Sequence, residues 1–404
     1  MTFDMVFEGG GAKGMVFAGA LQSLEAAGHR PGRLLGTSAG AITAALLAAG
    51  YDAKRMLESL EERSPDGRPV FESFMGTPGP FSPEFVESGA TASLLENLDI
   101  PKVPGFVEDR IKGAVLDRFS THPRWSHLFA MIETGGWFTA DRFVEWLRGK
   151  LDDGRLDGTP TAFGSMTLAD VHGVTGRELS LVASDTTGQR ILVLNHRTAP
   201  DLPLVWAVRM SMSIPLVWPE VEWRPDWGNY RGRPMTGHLV VDGGLLSNFP
   251  IELFVSDADH ILQVMGAKAT GDVVGFLIDE TLPVPGAPPP PAPASRGFAW
   301  GELETARRLM RLVDTMTKAH DKSVIEVMED LVVRLPAAGY GTTEFGMDEA
   351  RRKALVAVGA RVTRDYLERW EEGQRGGKSA SLAEIAAVQA AADRVADRIL
   401  GPGV

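Results

Sequence analysis

Gly36-Thr37-Ser38-Ala39-Gly40, a Gly-x-Ser-x-Gly pentapeptide, closes the short apolar run Leu34-Leu35 and opens a helix of small residues. It reads as a nucleophile elbow. Such a turn holds its serine on a sharp corner between strand and helix, and glycines flank it where a side chain would collide with neighbouring backbone. The run from Ala39 to Gly50 carries no charge and suits a buried helix. The positive end of that helix dipole then points at Ser38, where it favours developing negative charge.

The surroundings of the pentapeptide carry more weight than the pattern itself. Upstream, Met5-Val6-Phe7-Glu8 runs into Gly9-Gly10-Gly11-Ala12-Lys13-Gly14 and then an apolar stretch from Met15 to Ala27. Strand, glycine loop and helix are followed by strand, elbow and helix. In a parallel sheet both loops leave on the same edge, the edge on which open α/β sheets place their sites.

The glycine loop has two competing readings, and both fail on detail. A P-loop needs Lys followed by Ser or Thr after its spaced glycines, whereas here Lys13 precedes Gly14. Gly9, Gly11 and Gly14 fit a dinucleotide fingerprint, but the next strand ends in Gly36 and the serine instead of the acidic residue that would hold a ribose.

Composition narrows the class. The chain has 404 residues, 44% of them apolar, enough for one large α/β domain or two ordinary ones. Its 41 Lys and Arg stand against 53 Asp and Glu, a net charge of -12 that argues against a nucleic-acid partner or general affinity for strongly anionic membranes. With no cysteine, disulfides, Cys-ligated metals and thiol nucleophiles are excluded. The N-terminus enters a strand without a signal-peptide pattern, and no apolar stretch reaches the roughly 20 residues that span a bilayer. A cytoplasmic protein with at most peripheral membrane contact is expected.

Along the chain, Asp52 to Glu62 reads as an amphipathic helix. Residues 64–136 alternate Pro, Gly and Phe with helix-like patches at Ala90 to Leu98 and Val107 to Phe119, and read either as a lid or cap or as a second packing layer without functional motion. Thr139 to Leu151 has helical spacing, Glu178 to Val193 is a hairpin turning at Asp185 to Gly188, and Asp201 to Ser213 is a helix. Trp218, Trp223, Trp227 and Tyr230 sit among Pro, Gly and Arg. Contact with lipid headgroups is one reading, and packing on the chain's own sheet is the favoured one.

His238 to Val241 reads as a strand followed by Asp242-Gly243-Gly244, and Ala258 to Val264 as another strand. The Pro-rich stretch 282–295 is a surface excursion within the domain. Trp300 to Leu335 and Asp348 to Trp370 read as helices, Glu371 to Lys378 as a polar break, and Ser381 to Leu400 as a final helix in a tail of residues 376–404.

A serine hydroxyl is a weak nucleophile, so it needs a base in hydrogen-bond reach and donors for the oxyanion. Consecutive glycines at Gly9 to Gly11 leave amides free to converge on a small anion, and Ala39 adds one. The base is either a histidine or Asp242 alone. The eight histidines lie in no motif-like setting; His260 and His320 head the alternatives. Asp242 is better placed, but a carboxyl with a reference pKa of about 3.9 serves only if burial raises its basicity.

Together these three stretches resemble the signature motifs of patatin-like phospholipases, with further similar stretches at Thr167 to Asp170, Ser184-Asp185, Met210 to Pro215 and Asn248 to Pro250. The resemblance covers roughly residues 3 to 370. It implies a three-layer α/β/α fold with a central, largely parallel sheet, and a catalytic domain over residues 1–375 with the 64–136 lid inserted. It implies a Ser38–Asp242 catalytic dyad, an oxyanion loop of Gly9, Gly10, Gly11 and Ala12, and supporting roles for Lys13, Gly14, Gly36, Gly40, Gly243 and Gly244. Lys13 stands where many members carry Arg.

The implied reaction is hydrolysis of lipid acyl esters, of phospholipase A or lysophospholipase type, through an acyl-enzyme, with a membrane or micellar lipid as substrate. The scheme requires neither cofactor nor metal. One rival is a Ser-His-Asp esterase acting on small or neutral-lipid esters. Another is a lipid-binding or partner-regulated protein in which the C-terminal helix supplies the main function.

Overall fold

The computed structural model describes residues 1–65, 67–97, 105–122, 125–268, 272–289, 308, 327–375 and 382–400. The first elements follow the local sequence closely: β1 (Thr2–Phe7), α1 (Val16–Ala26), β2 (Arg30–Thr37), α2 (Ala39–Ala48) and α3 (Ala53–Leu60). Asp52 caps α3 by accepting the Arg55 amide at 2.8 Å. Among its described residues the expected cap segment holds four α-helices, α4 (Pro83–Glu87), α5 (Ala90–Glu96), α6 (Gly105–Thr121) and α7 (Ser126–Thr134). Its two stems meet in an antiparallel bridge between Gly76 and Thr139.

The body resumes with α8 (Asp141–Asp153), α9 (Leu168–Thr175), the hairpin β3 (Leu179–Asp185) and β4 (Arg190–Leu194), and α10 (Leu204–Ser211). The aromatic stretch follows, with Trp223 and Trp227 buried in the main core. Then come β5 (Val221–Glu222), β6 (Leu239–Asp242), α11 (Glu252–Val255), α12 (Asp259–Met265), β7 (Asp272–Pro283), β8 (Val332–Ala338), α13 (Glu349–Arg375) and α14 (Leu382–Leu400).

The sheet runs β8-β7-β1-β2-β3-β6-β5, with β4 pairing β3. β8, β7, β1, β2 and β3 are parallel in sequence across the sheet, while β4, β5 and β6 join antiparallel. Side chains alternate between its two faces, as the pleat requires. Met5, Phe7, Leu34, Leu181 and Ala183 enter one core with α1, α2, α8 and α10. Val6, Leu35 and Val182 enter the other with α11, α12 and α14. Helices on both faces of a largely parallel sheet make the expected three-layer α/β/α fold.

Three expectations are corrected. Residues 259–264, expected in a strand with Ala258, are helical in α12. Ile261, Val264 and Met265 recur at three- and four-residue spacing and bury one face, with Asp259 in the favourable first turn. The same short apolar run fits a strand by periodicity, which is why it misleads. Val332 to Leu335, expected at the end of a helix, lie in β8, where β-branched residues complete the parallel edge beside β7. Residues 300–307 and 309–326 of that expected helix, with Leu309, Leu312, Val313, Met316 and His320, lie outside the described residues. Helix α13 also runs through the expected polar break as far as Arg375.

Candidate active site

Ser38 is reached by backbone at φ 54°, ψ −117°, a conformation a non-glycine residue adopts only where its surroundings enforce it. They do so here by close approach. A Cβ at Gly36 would meet the Gly40 backbone, and one at Gly40 would meet the Phe7 carbonyl. Gly14 and Gly243 are equally tight, against Ala39 and against the Val182 carbonyl. The elbow therefore packs directly on β1, with Ser38 as the N-cap residue of α2.

Asp242 arrives from the other direction. Val182 of β3 pairs with both Thr37 and Val193, and Ala183 pairs with both Asp242 and Leu192. Since β4 runs along one edge of β3, β2 and β6 must share the other, ending head to head at consecutive register positions. The junction brings together residues 204 positions apart: Ser38 Oγ donates to Asp242 Oδ2 at 2.6 Å. The other carboxyl oxygen accepts the Gly244 amide at 2.8 Å.

The carboxyl is fully enclosed. Burial pushes its pKa up to about 7, against the opposing pull of the Ser38 and Gly244 hydrogen bonds. This is the raised basicity that a lone aspartate needs. Among the described residues no histidine bonds Ser38 or lines the adjoining cavity. His260, one of the alternatives, lies 3.2 Å from Asp397 of α14 instead.

Two serines that sequence reasoning passed over hold the junction. The Ser38 amide donates to Ser211 Oγ at 3.0 Å, and Ser211 Oγ donates to the Val182 carbonyl. The Asp242 amide donates to the Ser213 carbonyl at 2.9 Å. Arg209, fully buried, ties Ser213 Oγ to the Pro219 carbonyl, and burial lowers its pKa to about 10. The end of α10 thus braces both halves of the pair. The only sequence signal for it was the resemblance over Met210 to Pro215.

The glycine loop lies beside the elbow, but its four residues are not equivalent. The Gly9 amide donates to the Asn248 carbonyl at 3.2 Å and the Ala12 amide to the Thr342 carbonyl at 2.8 Å. The amides of Gly10, Gly11 and Ala39 find no acceptor among the described residues. Gly11, at φ 54°, and Ala39 line the cavity that contains Ser38. Asn248 Nδ2 bridges the loop to Glu8, donating to the Glu8 carboxylate at 3.0 Å and to the Gly9 carbonyl at 2.9 Å. Lys13 is buried and paired with Glu280, so its charge supports the loop from behind. Gly244 packs beside Asn248 and Asp242.

The cavity runs from Ser38 along Ile42, Thr43 and Leu46. Phe71, Phe74, Phe143 and Trp146 form an aromatic cluster in its wall, and Met212, Ile214 and Trp218 complete its lining near Ser38. Its polar side chains turn inward on their own helices: Thr43 Oγ1 donates to the Ala39 carbonyl and Ser59 Oγ to the Arg55 carbonyl. Trp146 Nε1 donates to Glu62 at 3.0 Å. What remains for a ligand is an apolar wall, the kind of pocket that accepts a hydrocarbon chain.

A second cluster, His172, Glu178 and His196, is close enough to suggest a metal centre. Its imidazoles stack face to face with centroids 3.6 Å apart and planes 3° apart, so their in-plane lone pairs run parallel and do not converge. Arg197 already forks onto both oxygens of Glu178. The group fits an ion pair under stacked rings.

Among proteins of known sequence, the chain is 28% identical over 382 residues to the uncharacterised protein YqhO of Bacillus subtilis (strain 168), covering 92% of this chain and 99% of YqhO. Among solved structures, VipD from Legionella pneumophila aligns over 91% of this chain and 67% of its own length, with 17% identity and a TM-score of 0.44. The ExoU–SpcU complex of Pseudomonas aeruginosa aligns over 98% of this chain and 58% of the matched chain, with 17% identity and a TM-score of 0.37. The family description patatin-like phospholipase matches residues 5–255, a span that holds the glycine loop, the elbow and the Asp242 turn. The chain belongs to the patatin-like phospholipase family.

Proposed function

We propose that the chain is a lipid acyl hydrolase of phospholipase A or lysophospholipase type that works through a Ser38–Asp242 dyad. The observation that carries this reading is the 2.6 Å hydrogen bond from Ser38 Oγ to a buried carboxylate at the mouth of an apolar cavity. Asp242 takes the hydroxyl proton as Ser38 Oγ attacks the ester carbonyl. The carbonyl oxygen becomes an oxyanion within reach of the Gly10, Gly11 and Ala39 amides, favoured by the positive end of α2. As the tetrahedral species collapses, the C–O bond to the alcohol breaks and Asp242 returns the proton to it. Water then attacks the acyl-serine, giving its proton to Asp242, and Ser38 leaves with that proton as the fatty acid departs. The acyl chain lies in the cavity throughout.

Among the described residues no helix is long and apolar enough to cross a membrane. Lipid contact in this reading is peripheral and falls to the cap, where Leu94, Ile111, Val115, Trp125 and Ile132 are exposed.

Fatty-acid release from mixed phospholipid vesicles by wild type, Ser38→Ala and Asp242→Ala tests the proposal, with short-chain p-nitrophenyl esters run in parallel. The dyad predicts loss of both activities in both variants by about 10³-fold or more. Asp242→Ala retaining most of the activity would overturn the dyad and return the search to a histidine.

A further inference from the structure

The matched family span ends at residue 255, yet the site does not. The loop between β8 and α13 reaches back across the sheet edge. Its Thr342 carbonyl accepts the Ala12 amide and packs so closely on Gly11 that a Cβ there would collide with it. Three residues on, Phe345 lines the cavity and meets Trp218 edge-on, with ring centroids 5.8 Å apart. One side chain fastens this loop. Arg351, 1% exposed, donates from Nε and Nη2 to the two oxygens of Glu344 at 2.8 and 3.1 Å, and to the Gly339 and Pro288 carbonyls at 2.7 and 2.8 Å. Its guanidinium lies 4.1 Å from the centre of the Tyr340 ring, and the Tyr340 hydroxyl donates to the Arg351 carbonyl.

We propose that Arg351 is a positioning residue for the oxyanion loop: by pinning residues 339–348 it holds the Thr342 carbonyl on Ala12, which sets the Gly10 and Gly11 amides toward the substrate carbonyl. The inference rests on the serine-hydrolase reading above. With the strap loosened, the Ala12 amide loses its acceptor and the turn at Gly11 loses the wall that enforces it. The amides then meet the oxyanion out of line, and misplacement on the scale of 1 Å costs up to about 10²-fold in rate. A planar fork that satisfies four acceptors has no lysine equivalent.

The test measures kcat and KM on a soluble short-chain ester for Arg351→Lys and Glu344→Gln, with circular dichroism and thermal unfolding as checks on folding. Folded Arg351→Lys is expected to lose about tenfold or more in kcat with KM within about twofold, Glu344→Gln less, and both to keep the wild-type midpoint in the pH profile of kcat/KM because the base is untouched. Wild-type kcat in folded Arg351→Lys would overturn the proposal. If that variant fails to fold, unchanged kcat in folded Glu344→Gln does the same. Ser38→Ala in the same assay separates the two readings, since turnover there close to the wild-type rate sinks the serine chemistry and leaves nothing for the strap to position.

Discussion

At Ser38 and Asp242 the proposed chemistry depends on a carboxylic acid kept out of water. Its pKa of about 7 has a sign that can be checked. Acting as a base, the group must be ionised, so kcat/KM for a soluble ester is expected to rise with pH and level off above about 7. For stability the direction reverses. The unfolded carboxyl ionises near 3.9, so between about pH 4 and 7 the native chain binds the extra proton, and this contribution to stability falls as pH rises through that window. Asp242→Asn removes the buried charge while keeping the shape. It is expected to be inactive yet more stable than wild type at pH 8, by up to a few kcal/mol in chemical denaturation, with the gap closing near pH 4. Equal stability at pH 8 would mean that the carboxylate is better solvated than its burial implies. Ser211→Ala removes the acceptor of the Ser38 amide, and is expected to lower kcat with little change in KM in steady-state assays.

At the scale of elements, the elbow and the glycine loop were legible because each is local: a strand, a turn and a helix that follow one another directly in the chain. The Asp242 turn was legible for the same reason. What could not be read was the head-to-head meeting of β2 and β6 on one edge of β3, which is set by two long-range pairings, Thr37 with Val182 and Asp242 with Ala183. Ser211, Glu8 and the Thr342 carbonyl act through such long-range placement, so their residue types alone announce nothing. Strand β7 went unread although Val273 to Ile278 is a nearly continuous buried run, and β8 was hidden by Arg334 and Pro336, which an edge strand tolerates. The proposed cap also belongs to this scale. On α6, Ile111, Val115 and Phe119 recur every four residues, and Phe119 stacks on Trp125 at 5.0 Å. Replacing Ile111 and Trp125 by Asp is expected to reduce co-sedimentation with zwitterionic vesicles severalfold while hydrolysis of a soluble ester is unchanged. Undiminished sedimentation would move lipid contact away from the cap.

For the whole molecule, the two faces of the sheet divide the labour. The face that packs α1, α2, α8 and α10 encloses the cavity, whereas the opposite face is closed by α11, α12 and α14. Sequence could not decide whether the last helix docks on the body or on a partner. The structure seats it on the body: Ala392 and Ala396 are fully buried in the second core, and Ser256 Oγ donates to Asp393 at 2.6 Å. Truncation after Arg375 is therefore expected to lower the thermal midpoint by several degrees and to leave kcat of the folded fraction intact, measured by unfolding and by ester turnover. Loss of activity in a fully folded truncation would favour the rival in which this helix carries the main function.

The central claim is that Ser38 becomes acylated. Intact-protein and peptide mass spectrometry after rapid acid quench of wild type with a p-nitrophenyl ester tests it most directly. The dyad predicts one acyl group per chain, carried on the peptide that contains Ser38, and none in Ser38→Ala. Turnover without an adduct on Ser38 under burst conditions, or an adduct on another residue that persists in Ser38→Ala, would contradict it.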